Sequence, residues 1–554
     1  MSPAPCGDVS GRSRTLAPGR CRPLRYRPID RRQVHREGDS RCAAGCLRPA
    51  GDPMGSRGDF VQYHEYCRAS GRGGLLRSNG QSGIELAALA ALVEGSRVVG
   101  DPRTAVTGIA MDHRLIEKGD LFAIVPGAHF DPRRVVNEAV QAGASALVAP
   151  GYEADSQASQ LVIPEDAIRP GVARLAQKIY GDPSSKMDII GVTGTNGKTT
   201  CVYLISEILE RLGSPTGTIG TLWGRLTTPE APELAKKLAG YAADGYRFTA
   251  MEISSIALSM HRVESLRVKV AVFTNLSQDH LDFHGSMERY FEAKASLFDP
   301  VYTGTGVVNV DDEFGRRLAD ASRVPVRRVG LSDVELVELG SQGVRLRFRG
   351  REIFTPLVGR HNVYNLRLAL EVMDLLGFSL DDVTEVIPSI SAPRGRLQRV
   401  ASPSGTIYVD YAHSPAALKE ALSAARLAVG EGGRLVVVFG AGGERDHGKR
   451  PIMGAVAEAN ADAIVVTSDN PRGEDPSRIA REIILGCSDP AAVRLILDRH
   501  DAIYAAISGL GPRDSLLIAG KGHERTQSLG GQVVAFDDAE VAAAAVADVF
   551  GGRD

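Results

Sequence analysis

An α/β protein of three domains, the last two doubly wound around mainly parallel sheets, is the fold class that this 554-residue sequence predicts. Three observations lead there. The chain is too long for a single hydrophobic core. From about Gly80 onward, apolar runs of strand length alternate with stretches of helical periodicity, as crossover-connected parallel strands require. Within that alternation one strand passes through the glycine-rich turn G-V-T-G-T-N-G-K-T-T, residues 191–200, directly into a helix. With 24% charged and 43% hydrophobic residues the composition is that of an ordinary water-soluble protein. No apolar stretch approaches the roughly 20 residues of a membrane helix. The first 30 residues carry arginines and no apolar core of a secretory signal, so the expected location is the cytoplasm and no membrane partner is expected.

In chain order, residues 1–78 stand apart. They hold 15 Arg, no Lys and 7 acidic residues, a net +8, which leaves −10 for the rest of a chain whose total is −2. Five of the seven cysteines lie there, but their spacing with His35 and His64 fits no zinc pattern. The segment reads as a disordered basic extension or as upstream sequence that is not normally translated. Nucleic-acid binding through it is not expected, because stacking aromatics and a paired element are missing.

Residues 79–185 read as a small α/β domain, with strands near 106–110, 121–125 and 146–149 and a helix over 134–142. Residues 186–392 form the phosphate-loop domain. Its first strand covers 187–190, and the following helix carries Val202, Ile205, Ile208, Leu209 and Leu212 on one face. Further strands are expected at 247–253, 268–274 and 306–310. Residues 393–554 form a second, Rossmann-like unit, with strands at 406–410, 434–440, 463–467, 493–497 and 515–519 and a last helix over 538–549.

The chemistry starts at the glycine turn. Backbone amides of Gly194, Thr195, Asn196 and Gly197 close on an anion, Lys198 adds a mobile cation, and the Thr199 hydroxyl, followed by Thr200, is placed to ligate Mg²⁺. Gly191 precedes Gly197 by six positions, one more than in the ordinary phosphate-loop pattern. Glu252 ends a strand in M-E-I-S-S, where a second Mg²⁺ contact belongs. His280, within T-N-L-S-Q-D-H-L-D-F-H-G, sits among carboxylates as a candidate metal ligand. Lys294 follows on a helix, and an ammonium near Mg²⁺ must either face away or be chemically altered.

These motifs together resemble the Mur ligase family over residues 81–554, in the order UDP-substrate domain, ATPase domain, amino-acid domain. The resemblance implies ATP as co-substrate, two Mg²⁺ and a carbamylated Lys294 that can hold the second ion, with Thr199, Glu252 and His280 at the other metal-site positions. It assigns Thr227, Thr228, Ser254 and Arg262 to the UDP-linked substrate, although Thr227-Thr228-Pro229 taken alone is a turn before a helix. It assigns Asn365, Arg396, Asp410 and Lys449 to the nucleotide. A strand-terminal carboxylate such as Asp410 suits sugar hydroxyls on physical grounds too. D-N-P-R, at Asp469, Asn470, Pro471 and Arg472, marks family members that add meso-diaminopimelate. A guanidinium pairs bidentately with the distal carboxylate that lysine lacks. Gly520, Glu524 and Arg445 match further positions that hold this amino acid.

The implied activity is ATP-dependent joining of meso-diaminopimelate to UDP-N-acetylmuramoyl-L-alanyl-D-glutamate, with small-molecule partners only and a monomeric enzyme. A ligase adding L-lysine or another amino acid stays open, as does a non-catalytic nucleotide-binding relative. Asp112-His113-Arg114 where D-S-R is common, Ile256 for histidine and His361 for phenylalanine depart from the family pattern without removing a phosphate or metal group.

Overall fold

The computed structural model describes residues 83–551, apart from 128–130, 333 and 445. The basic segment 1–78 and Arg445 therefore lie outside the described residues.

Three sheets organise the chain. The first has five strands: β1 (Arg97–Val99), β2 (Gly108–Ala110), β3 (Asp120–Ala123), β4 (Ala146–Pro150) and β5 (Ser159–Ile163). They lie in the order β1-β5-β4-β3-β2, all parallel except the β1 edge. The expected strand over 106–110 divides in two. Residues Ala105–Val106 pair antiparallel with Ile84–Glu85, and only Gly108–Ala110 joins the sheet. The expected helix over 134–142 opens as a 3₁₀ turn, Pro132–Val135, capped by Asp131, before α1 (Val136–Ala142). Helix α2 (Ile168–Ile179) buries its apolar face on the sheet.

The central sheet is wholly parallel. It comprises β6 (Asp188–Thr193), β7 (Thr216–Ile219), β8 (Phe248–Glu252), β9 (Val270–Phe273), β10 (Gly306–Asn309) and β11 (Val326–Val329), in the order β11-β10-β9-β6-β8-β7. Strand β6 is central and flanked by β8 and β9, so the chain reverses its winding direction beside the glycine turn. Ligands of doubly wound sheets gather at that crevice. Helix α3 (Lys198–Arg211) packs Val202, Ile205, Ile208 and Leu209 into the core, and Leu212 becomes its cap residue. Helix α4 (Ala231–Ala243) faces α2 and carries Lys236, which pairs with Glu117 at 2.7 Å; Arg174 reaches Glu264 at 3.4 Å. These bridges tie the first sheet's layer to the central one. Helix α5 (Met287–Ala295) follows β9.

The edge strands β7 and β11 lack long apolar runs and were not expected from the pattern. Gly217 in β7 is required by space, since the Tyr241 ring and Thr249 Oγ1 occupy the place a Cβ would take. A three-stranded antiparallel sheet, β12 (Val334–Gly340), β13 (Gly343–Phe348) and β14 (Arg351–Thr355), was also unexpected, and it shares a core with α6 (Arg360–Leu375).

The third sheet has one antiparallel edge, β15 (Gln398–Val400), beside parallel β16 (Thr406–Asp410), β17 (Leu435–Phe439), β18 (Ala463–Val466), β19 (Val493–Leu495) and β20 (Ser515–Ala519). Helices α7 (Pro415–Arg426), α8 (Lys449–Asn460), α9 (Pro476–Ile484), α10 (Arg499–Ser508) and α11 (Asp538–Phe550) cover its faces. A hairpin, β21 (Thr526–Leu529) with β22 (Gln532–Ala535), projects from the end of β20. No helix among the described residues is long and apolar enough to cross a membrane.

Arg499, at the start of α10, is fully buried against the fully buried Asp538 of α11 through two bonds of 2.7 Å, and it also donates to Ala519 O. Losing one member of such a pair strands the other charge in the core. We expect Arg499→Met to cost about 3–5 kcal/mol, measured as the loss of unfolding free energy in a denaturant titration.

Candidate active site

The site begins where β6, β8 and β9 end side by side. Thr193 is in register with Phe273, and Val192 with Glu252. The turn after β6 can lie this close to β9 only because residue 194 is glycine. Its φ is +142°, and a Cβ there would collide with the Thr274 hydroxyl. The loop is then fastened from the β9 side. Thr195 N donates to Asn275 O (2.8 Å), Asn196 N to Asn275 Oδ1 (3.0 Å), and Thr274 Oγ1 to Asn196 O (2.6 Å). Thr195 Oγ1 shares a hydrogen bond with Tyr290 OH and accepts from Ser277 N, both at 3.1 Å. Gly197, with φ +86°, starts α3 against Asn365, whose Oδ1 lies 2.5 Å from where a Cβ would be. Asn365 is buried and donates to Asn362 Oδ1 (2.9 Å), so the structure puts this expected nucleotide residue directly beneath the loop.

Two lysines converge on one carbonyl. Lys198 Nζ donates to Gly194 O (3.0 Å) and Thr195 O (2.9 Å), and Lys294 Nζ donates to the same Gly194 O at 2.6 Å. Lys294 is buried beneath the loop with its ammonium 4.6 Å from the Tyr290 ring centre, and no carboxylate among the described residues pairs with it. Burial, and then the neighbouring Lys198, push its pKa far below the usual lysine value. Burial lowers Lys198 as well, against the pull of Glu252 and Asp279.

Glu252 is buried and held from three sides. Thr199 Oγ1 donates to its Oε1 at 3.0 Å, Thr221 N to the same oxygen at 2.8 Å, and Thr221 Oγ1 approaches Oε2 at 3.4 Å. Hydroxyl and carboxylate oxygens so arranged suit a hard divalent cation. The expected metal set is only partly gathered. His280, in a left-handed conformation (φ +53°), turns its ring to Asp279 (3.6 Å) rather than to Glu252 or Thr199. His284, four residues on, is the more buried histidine, and it meets Ser255 Oγ at 2.9 Å and stacks near Tyr290.

Thr227 and Thr228 do more than make a turn. Thr228 Oγ1 donates to Glu252 O (2.9 Å) and accepts from Ser254 N (3.0 Å), while Thr227 Oγ1 bonds Thr221 Oγ1 (3.0 Å). Arg262 donates to Thr228 O (3.1 Å) and pairs with Glu230 (2.7 Å). All four residues expected at the UDP-linked substrate thus belong to one hydrogen-bonded group that includes Glu252. Thr221 is the member of this group that motif reading passed over.

From the third sheet's side, Arg396 Nη2 donates to Thr199 Oγ1 at 3.0 Å. Asp410 spends both oxygens on backbone, accepting from Leu397 N (2.7 Å) and Ala412 N (2.8 Å), so in this structure it holds the connecting turn. Lys449, at the start of α8, and His413 face Asp279. Burial opposes ionisation of Asp279, but His280, His413 and Lys449 outweigh it and hold its pKa below the usual carboxylate range.

D-N-P-R and G-K-G-H-E come together at the ends of β18 and β20. Asn470 Nδ2 donates to Glu524 Oε2 (2.7 Å). Buried Lys521 donates to Glu524 Oε2 (2.9 Å), Asn470 Oδ1 (3.3 Å) and Thr526 O (2.7 Å). The ammonium that Glu524 meets here is therefore the chain's own. Gly520 (φ +115°) lets the loop press on Asp469 Oδ2, and the carbonyl of Pro471 takes the space where Gly443 would carry a Cβ. Arg472 (φ +54°) donates to Gly443 O at 2.5 Å, and no carboxylate among the described residues pairs with its guanidinium.

The chain is similar in sequence and fold to known proteins. A family model described as the Mur ligase middle domain matches residues 192–373, and one described as the Mur ligase, glutamate ligase domain matches residues 395–522. The UDP-N-acetylmuramoyl-L-alanyl-D-glutamate--2,6-diaminopimelate ligase of Parasynechococcus marenigrum is 43% identical over 476 residues, 80% of this chain and 94% of that protein. The chain belongs to the Mur ligase family. The protein of the same description from Coxiella burnetii is 40% identical over 79% of this chain and 95% of its own. Among solved structures, a ligase of that description aligns with TM-score 0.58 and 30% identity over 84% of this chain and 99% of the other. MurF ligase from Thermotoga maritima, solved with ADP, aligns at TM-score 0.59 and 18% identity over 81% of this chain and 99% of its own, a likeness of fold.

Three imidazoles around the cleft are driven neutral by burial. His284 and His413 fall to about 4 and His523 to about 3. Each takes up its proton at lower pH when folded than when unfolded, near 6.5. Their contribution to stability is thus complete above pH 6.5 and disappears as pH falls towards 4. We expect the melting temperature to drop between pH 7 and 5, and the drop to be smaller in His413→Asn, as read by calorimetry across that range.

Proposed function

We propose that this Mur ligase couples ATP cleavage to amide-bond formation between UDP-N-acetylmuramoyl-L-alanyl-D-glutamate and meso-2,6-diaminopimelate, in the cytoplasm. The observation that carries the choice of amino acid is Arg472, a guanidinium without a carboxylate partner among the described residues, two positions after the Asn470 that bonds Glu524. A distal carboxylate completes that arrangement with two charge-assisted hydrogen bonds. L-Lysine leaves it unfilled. The names of the relatives support the same reading.

A carboxylate is a poor electrophile, so the reaction needs two steps. The dipeptide's γ-carboxylate attacks the γ-phosphorus of ATP, the bond to ADP breaks, and an acyl phosphate results. The amine of diaminopimelate then attacks the acyl carbon, loses a proton, and inorganic phosphate leaves. The loop of residues 194–197 receives the phosphates through its amides at Gly194 and Gly197, those of Thr195 and Asn196 being engaged by Asn275. Lys198, released from its two carbonyl contacts, offsets charge on the group in flight. Thr227, Thr228, Ser254 and Arg262 orient the muramoyl chain beside Glu252. Asn365, Arg396, Asp410 and Lys449 serve the nucleotide.

Thr199, Glu252, His280 and a carbamylated Lys294 are the residues that would hold two Mg²⁺, which supply charge neutralisation at the phosphates. The fit rests on chemistry present in the chain. The Thr199–Glu252 pair offers hard oxygen ligands. A buried lysine with a depressed pKa has the free amine that reacts with CO₂. Excluding water from the closed cleft protects the acyl phosphate from hydrolysis.

The test is phosphate release with the UDP-dipeptide and ATP, comparing meso-diaminopimelate, L-lysine and no amino acid. Turnover is expected with diaminopimelate alone. Arg472→Ala should raise the KM for diaminopimelate by roughly 10–100-fold, the value of a charge-assisted pair, and leave the KM for ATP within about twofold of the parent. Equal turnover with lysine, or an unmoved diaminopimelate KM, would refute the assignment.

A further inference from the structure

Between the central and third sheets the chain makes a tight turn at residues 395–397. Gly395 (φ +65°) and Leu397 (φ +47°) are both left-handed, and a Cβ on Gly395 would overlap the backbone of Gly522 and His523. Arg396 is thereby pinned at its base, with Leu397 N on Asp410 at 2.7 Å. Its guanidinium lies over the Tyr411 ring, 4.6 Å from the centre, on its way to Thr199 Oγ1. Its Nε is buried without a hydrogen-bond partner, so the ring is the guanidinium's main support along its length.

Tyr411 is in turn clamped by the loop that carries Glu524. Its ring centre is 4.9 Å from that of His523 and 4.6 Å from that of His413, and a Cβ on Gly522 would sit 2.7 Å from the Tyr411 Cβ. That same loop presses Gly520 on Asp469 and bonds Asn470 through Lys521 and Glu524. One continuous set of contacts therefore runs from Asn470, through residues 520–524 and the Tyr411 ring, to Arg396 and Thr199.

We propose that Tyr411 is a positioning residue. Its ring sets the Arg396 guanidinium against the phosphate end of the nucleotide and links that placement to the amino-acid loop. The inference rests on the reading that nucleotide phosphates lie beside Thr199, but not on which amino acid is added. The contacts are made by the ring, so a phenyl group suffices for them. A cation over an aromatic face in a desolvated site contributes enough to change affinity about 10-fold.

The test is fluorescence-competition binding of AMPPNP and of AMP to the full chain. Tyr411→Met should weaken AMPPNP roughly 10-fold and leave AMP unchanged, because Arg396 reaches the phosphate side only. Tyr411→Phe should bind both like the parent. In an Arg396→Ala background, Tyr411→Met should have no further effect on AMPPNP. Three results would overturn the proposal: equal weakening of AMP and AMPPNP, an undiminished effect of Tyr411→Met without Arg396, or a phenylalanine variant as impaired as the methionine one. Should the methionine variant melt below the assay temperature, Tyr411→Leu is read by the same criteria. Phosphate release with diaminopimelate then reports separately on the proposed reaction.

Discussion

Two lysine side chains share one backbone oxygen, and much of the site is arranged around that fact. Gly194 O accepts from Lys198 and from Lys294, the latter buried and without an anionic partner among the described residues. Two ammonium ions so close repel strongly in a low-dielectric setting, and Lys294 is buried away from the water that would screen it. Burial and the neighbouring Lys198 both push the Lys294 pKa far down, which favours its neutral form. A lysine held as a free amine is a nucleophile, and one that has taken up CO₂ is an anion. The same burial that makes the cation costly thus favours the free amine from which the proposed carbamate would form.

The rest of the architecture brings other groups to that point. The parallel sheet ends Thr193, Glu252 and Phe273 at one level, and Gly194 and Gly197 let the turn approach Thr274 and Asn365 at distances no side chain permits. The segment at 221–228 holds Glu252 and the proposed muramoyl contacts in one hydrogen-bonded unit. The third sheet contributes Arg396 from a strained turn and keeps its amino-acid groups on a loop that touches the same tyrosine. Both steps of the proposed reaction draw on these elements.

Much of this was legible in the sequence, for reasons that differ by element. The glycine turn and Glu252 are local signals, because a strand, a backbone anion cradle and a strand-terminal carboxylate are each written in a few adjacent residues. The long apolar strands of the two large sheets were legible for the same reason. The edge strand at 216–219 was not, since T-G-T-I shows no run of buried residues and owes its pairing to β8. The strand expected over 106–110 broke because Thr107 N turns to Gly119 O, a tertiary choice without a local marker. Thr221, Tyr290 and Tyr411 matter through contacts with residues distant in sequence, and their types alone carry no such information. Asp410 and Glu524 stand out in the sequence, but their partners in the structure, Leu397 N and Lys521, follow only from how the turns fold back.

The state of Lys294 is the most direct point of attack. Protein incubated with ¹³C-bicarbonate and examined by ¹³C NMR should show one carbamate resonance that is absent from a Lys294→Arg variant and strengthened by Mg²⁺ with nucleotide. A Lys294 that stays an ordinary ammonium, with identical spectra for the two proteins, would contradict the account.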